Sequence, residues 1–307
     1  MPAKTELFVR RTPGGVFTIN REDLCTGSIF FVDSVTGVDA AGYGSNPDVP
    51  LATLDYAVGL CTADKGDKIY LMPGHAEAVI AAGTVTLDIA GVTVVGLGNG
   101  SLRPTFTFGT NAGATIAVSA ANVRLVNLIF DQSGIDAITT GINITAAGCE
   151  IEQCKFICSR AAKFAAKSVV MSAAAAGTNI HHCEFSSPVT TAVNCIYTAA
   201  AVDNVQITDN RFYGYWSGSP ILNDTAAATN VFIGRNTFWM LHATGVPITL
   251  HANATGMIVG NHSYLTKNIA AGGSMAAAAA LKSENYAAEL AHVDGSSQLD
   301  PAAGAWA

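Results

Sequence analysis

The sequence predicts an all-β solenoid, a single parallel β-helix, and three observations predict it. First, an aromatic residue closes the same short pattern at Phe130, Phe156, Phe185, Phe212, Phe238 and Tyr264, at intervals of 26, 29, 27, 26 and 26 residues. A period in this range marks one supersecondary unit stacked on copies of itself, because a single unit cannot bury its apolar face alone. Second, each copy carries an aliphatic residue five positions before the aromatic, at Leu125, Ile151, Ile180, Ile207, Ile233 and Val259. Period-two alternation around that residue marks a short strand with one face buried. Third, there are three short strands per turn and no amphipathic helix between them, which excludes a leucine-rich repeat of similar period.

Taken in order, residues 1–28 read as an extended arm, with Lys4, Arg10, Arg11 and Arg21 against only Glu6 in the first 21 positions. A basic arm on an acidic body suits a docking tether; a strand folded back on the first coil fits the same residues. Pro50 is expected to start a short helix whose Leu54, Ala57, Val58 and Cys61 share one face and plug the open end of the solenoid. The strand 68–72 begins the coils, and 85–87 and 92–95 continue them. In each repeat the next inward residue comes three positions after the aliphatic one, at Leu128, Cys154, Cys183, Asn210, Asn236 and His262. A one-residue bend must therefore interrupt the alternation, at Asn127, Gln153, His182, Asp209, Arg235 and Asn261. Asn and Asp tolerate the left-handed backbone that such a bend needs. Further strands precede each pattern at 115–118, 142–144, 168–171, 195–197, 220–222 and 247–250, each followed by an Ala-rich corner. The β-helix spans 29–266, and 267–307 is a tail with a helix over 281–290. Trp306 in that tail is expected to pack on the last coil or on a neighbouring chain.

These residues resemble the pectin-lyase-like superfamily over roughly 29 to 266. The likeness lies in the stacked aromatic and aliphatic positions, the Asn210 and Asn236 pair after the bend, and the lead-in segment 29–74. The resemblance implies a single-stranded right-handed parallel β-helix with a short N-terminal capping helix and extended terminal arms. It leaves activity open, since the superfamily hosts polysaccharide lyases, hydrolases, phage tailspikes and inert structural proteins.

Charged residues are only 13% of the chain and hydrophobic ones 50%, which suggests that partners cover part of the surface. The net charge of −7 argues against nucleic-acid binding. No run approaches a membrane span, and no signal peptide is evident at the N-terminus. The seven cysteines are odd in number, and Cys149, Cys154, Cys158, Cys183 and Cys195 fall within coils. They read as buried free thiols acting as small hydrophobes, which implies folding in a reducing cytoplasm.

Chemistry on a solenoid must come from outward ladders. One ladder pairs Arg124 with Glu150, a second holds Val126, Glu152 and His181, and a third Ile129, Lys155, Glu184, Arg211, Thr237 and Ser263. Glu150 and Glu152 point the same way, as paired catalytic carboxylates do, but Arg124 and Lys155 stand close enough to neutralise them, so a structural salt ladder is expected. The acidic clusters of the superfamily's lyases and galacturonases are missing. Tailspike-like sites built from scattered carboxylates leave Asp131 with Asp136 and Asp209 with Asp224 as candidates. His181, His182 and Cys183 point outward, to a bend and inward, so they cannot share a metal ion. The expectation is therefore a non-enzymatic bacteriophage virion protein, a capsid decoration or cement protein assembled in the bacterial host cytoplasm. It would be a homotrimer docked on the major capsid protein or other virion proteins through Lys4, Arg10, Arg11, Arg21 and Trp306, with no cofactor, metal, nucleic acid or membrane. The alternative is a carbohydrate-active β-helix, a tailspike-like glycan hydrolase or polysaccharide lyase.

Overall fold

The computed structural model describes residues 8–10, 17–19, 26–109, 111–134, 138–158, 165–223, 225–242, 246–265, 275–276 and 280–289. Apolar residues recur at three places per repeat, and each place becomes a strand that pairs in parallel with its counterpart one coil on. Three sheets result. Sheet 1 holds ten strands, from Ile29–Val32 through Lys68–Leu71, Arg124–Val126 and Gln206–Thr208 to Leu281–Ser283. Sheet 2 holds nine, from Ala76–Val79 through Lys155–Ile157 and Arg211–Trp216 to Tyr286–Glu289. Sheet 3 holds eight, from Ala82–Leu87 through Ile138–Ile144 to Met275–Ala276. A separate antiparallel pair joins Phe8–Arg10 to Phe17–Ile19 in the N-terminal arm.

The interior is a set of columns. In sheet 1 the register stacks Val94, Leu125, Ile151, Ile180, Ile207, Ile233 and Ile258, all buried. In sheet 2 the column runs Phe106, Phe130, Phe156, Phe185, Phe212 and Phe238. Its rings stack with centroids 5.8, 5.0, 4.6, 4.9 and 4.7 Å apart, so each ring inside the column packs on its two neighbours at about the strand spacing of the sheet. Phe106 extends the column one coil earlier than the sequence pattern indicates.

The left-handed bend between sheets 1 and 2 is present at Asn127, Gln153, His182, Asp209 and Arg235, with φ between 54° and 58°. The sixth repeat departs from the expected register. Phe238 pairs with Ser263, Trp239 with Tyr264, and Ile233 with Ile258, so Tyr264 faces outward and Val259 is not the core position. Gly260 takes the bend, at φ 65°, Asn261 becomes the inward residue, and His262 turns outward. Glycine enters the left-handed region without the Cβ penalty, so this coil closes one residue sooner than its neighbours.

That shift extends a buried asparagine ladder. Asn210, Asn236, Asn261 and Asn285 stack, each side-chain carbonyl accepting from the backbone N–H of the residue one coil earlier: Cys183, Asn210, Asn236 and Asn261 at 2.9, 3.0, 3.0 and 3.0 Å. Each amide nitrogen donates to the backbone carbonyl of the aliphatic column, at Ile180, Ile207, Ile233 and Ile258. Cys154 and Cys183 fill the same slot upstream and donate their thiols to the equivalent carbonyls of Leu125 and Ile151. All six described cysteines are free and buried. Burial pushes the Cys61 thiol up to about 12 and the Cys158 thiol to about 11.

The N-terminal plug is the helix Leu54–Gly59, which begins four residues after Pro50 and is capped by Thr53, whose hydroxyl accepts from the Tyr56 N–H. Leu54, Ala57, Val58 and Cys61 are buried against the first coils. At the other end the tail is not helical where it is described. Leu281–Ser283 pairs with Met257–Val259, and Tyr286–Glu289 with His262–Leu265, adding a further coil. Leu281, Lys282 and Ser283 continue an existing parallel ladder, and partner strands outweigh the helix propensity of the Ala- and Leu-rich segment.

Candidate functional site

Two regions of the outer surface concentrate chemistry-bearing side chains. The first lies on sheet 1, where Arg124, Glu150 and Asn179 form one outward ladder and Val126, Glu152 and His181 the next. Arg124 bridges both carboxylates: its Nε is 2.8 Å from Glu150 Oε2, close but out of line for a hydrogen bond, and its Nη2 donates to Glu152 Oε2. On the far side His181 Nε2 lies 2.7 Å from Glu150 Oε1, while its Nδ1 is 2.8 Å from His182 Nδ1. Glu150, Glu152 and His181 thus bring three ligand-type atoms within 4.8 Å of one another. The guanidinium already held between the carboxylates occupies the place a cation would take. Both carboxylates are engaged by the Arg124 guanidinium, and Glu150 also lies within hydrogen-bond distance of the His181 ring. Arg124 forms the salt ladder the sequence indicated, but Lys155, expected to help neutralise these carboxylates, pairs with Glu184 on the next sheet, and His181 takes its place beside Glu150. Cys183 faces the core, away from both histidines.

The scattered carboxylates resolve as local structure. Asp209 sits on its bend and takes a two-point contact from Arg235, at 2.8 and 2.7 Å, and this guanidinium holds its carboxyl below the usual range. Asp131 accepts from the Ser133 N–H at 3.0 Å, a turn contact. Their proposed companions Asp224 and Asp136 lie outside the described residues. So do Lys4, Arg11, Arg21 and Trp306 of the expected docking set, while Arg10 lies in the antiparallel pair of the arm. Lys155 pairs with Glu184 at 3.1 Å, and Arg103 donates to the backbone carbonyls of Leu128 and Gln153, spending its charge on the bends.

The second region lies on sheet 2 and was not found from the sequence. Its register places Tyr213, Trp239 and Tyr264 in one outward column on three successive coils. They are 44%, 44% and 37% exposed, and their ring centroids lie 6.1 and 5.6 Å apart. The Tyr213 and Trp239 planes meet at 69°, an edge-to-face contact, and those of Trp239 and Tyr264 at 35°. The next outward column toward the bend is polar, with Arg211, Thr237 and His262, the last stacked on Tyr286 at 5.3 Å. Arg211 makes no ion pair among the described residues, although Glu184 precedes it in the ladder. On the other side Tyr215 and Leu241 are half-buried. Aromatic rings left half in water in a contiguous row are unusual on a monomer and mark recognition surfaces. The available signal was the Phe-Tyr and Phe-Trp pairing at 212–213 and 238–239, which sets an outward aromatic beside each inward one.

No protein-family model matches the chain, and no curated protein matches it. Among solved structures, a rhamnogalacturonan lyase superposes with a TM-score of 0.47 and 14% identity over 78% of this chain and 74% of that one. The GH136 lacto-N-biosidase from Eubacterium ramulus superposes with a TM-score of 0.45 and 10% identity in its native form. Its selenomethionine derivative gives 0.42 and 8%. Both cover 85% of this chain but 55% of the biosidase, so the chain spans about half its length. The fold of this chain rests on its own strand register, a parallel β-solenoid of three sheets.

Proposed function

We propose that this chain is a carbohydrate-engaging β-helix that holds a glycan on the outer face of sheet 2, rather than a capsid decoration protein. The observation that carries the proposal is the exposed column of Tyr213, Trp239 and Tyr264 beside the polar column of Arg211, Thr237 and His262. A pyranose ring has an apolar C–H face and a rim of hydroxyls. The first suits an aromatic ring and the second suits polar neighbours one column away. Tyr and Trp also present a large contact area with few rotatable bonds to freeze. The neighbouring carboxylates Glu150 and Glu152 are on another sheet and are tied to Arg124 and His181. The proposal is therefore binding without cleavage at that pair.

The test is binding of the full chain to a panel of oligosaccharides, read by titration calorimetry, with Trp239→Ala alongside. Loss of about 1.4 kcal/mol or more, a tenfold rise in Kd, is expected for Trp239→Ala with an unchanged circular dichroism spectrum. Absence of binding to every glycan, or equal binding by Trp239→Ala, would overturn the proposal. Glycan cleavage abolished by Glu150→Gln would overturn its non-hydrolytic part.

A further inference from the structure

Resting on that reading, we infer that the ligand is a linear, unbranched pyranose oligomer laid parallel to the solenoid axis, with one sugar over each of Tyr213, Trp239 and Tyr264. The three rings lie on three successive coils of one ladder, so the strip runs across the strands and along the axis. Their spacing, 6.1 and 5.6 Å between centroids, is close to the length of one pyranose residue in an extended chain. The strip is bounded by Arg211, Thr237 and His262 on one side and flanked by half-buried Tyr215 and Leu241 on the other. A branched glycan would have to place its side arm over that polar column.

The ring angles sharpen the match. A single planar ligand needs coplanar rings, whereas these planes turn by 69° and then 35° from coil to coil. A chain of sugars joined by rotatable glycosidic bonds is not held to one plane and can follow rings that are turned relative to one another. A folded protein partner would instead need a broad apolar area, which the polar column of Arg211, Thr237 and His262 closes off on one side. Thr237 and His262 stand beside the second and third rings and can exchange hydrogen bonds with hydroxyls there.

A length series tests this. With oligomers of one to five residues of a sugar that the full chain binds, affinity is expected to tighten by about tenfold or more from one residue to three and to level off beyond. Tyr264→Ala is expected to move the plateau to two residues, Trp239→Ala to one, and Tyr264→Phe to leave it at three. A plateau that stays at three in Tyr264→Ala, or affinity that does not depend on length, overturns the axial chain while leaving glycan binding standing. Failure of every oligomer to bind overturns the proposed function itself. Sedimentation velocity on the same proteins covers the competing occupant: a change of oligomeric state in Trp239→Ala without a change in glycan affinity assigns the strip to a second copy of this chain and overturns the inference.

Discussion

Replacing Asn236 by leucine tests what holds the coils in register. Asn236 is fully buried. Its amide nitrogen donates to the Ile207 carbonyl at 2.8 Å and to Asn261 Oδ1 at 3.0 Å, and its oxygen accepts from the backbone and side-chain N–H groups of Asn210 at 3.0 and 3.1 Å. Leucine removes all four contacts. The Asn210 amide keeps the Ile180 carbonyl, and Asn261 Oδ1 keeps the Asn236 backbone N–H. The Asn210 backbone N–H and the Ile207 carbonyl lose these side-chain partners in a water-free interior. Each such group costs about 1–3 kcal/mol, so about 4 kcal/mol for the two, offset by about 1 kcal/mol from the added apolar surface. The expected net loss is about 3 kcal/mol. Urea unfolding followed by far-ultraviolet circular dichroism measures it, and because solenoids can unfold in segments, hydrogen exchange at the Asn210 amide supplies a local readout. A variant as stable as the parent, with Asn210 still protected, would refute the reasoning and leave the ladder as mere filling.

Three further outcomes are expected. Arg235→Ala should cost less than about 1 kcal/mol at neutral pH, because the Arg235 side chain is largely exposed and its charge is screened by solvent. Since Arg235 lowers the Asp209 carboxyl, the contribution is present above the ordinary carboxylate range and is lost as pH falls through the depressed value, so parent and variant should converge in acid; a difference that grows there would contradict the assignment. Native alkylation with iodoacetamide, read by mass spectrometry, should leave Cys61, Cys149, Cys154, Cys158, Cys183 and Cys195 unmodified and label them after unfolding. Glu150→Gln should leave glycan affinity unchanged, since the salt ladder and the aromatic strip lie on different sheets, and a tenfold or larger loss would tie the two regions together.

The salt ladder and the aromatic strip differ in how far they could be read ahead of the structure. Arg124, Glu150 and Glu152 sit on strands whose period-two alternation is explicit, so their outward direction and mutual neutralisation follow from spacing. His181 adds a partner because its ring reaches across a coil to Glu150, a side-chain direction that spacing does not specify. Tyr264 was misplaced for a related reason. Its aromatic ring matches the repeat, yet one residue fewer in that coil turns it outward, and the cue was Gly260 followed by Asn261 continuing the Asn210 and Asn236 ladder.

What the sequence determined by itself is the periodic part: parallel coils of three strands, the phenylalanine column, the left-handed polar bends, the buried thiols and the N-terminal plug. These depend on local alternation and on which side chains cannot remain in water, and both are written in the order of residues. The tertiary structure decided the register of the last coils, the strand state of 281–289 and the meeting of Tyr213, Trp239 and Tyr264 in one exposed row. Those depend on how many residues each coil spends at its bend, and a single residue there exchanges the inner and outer faces of every strand position that follows within the coil.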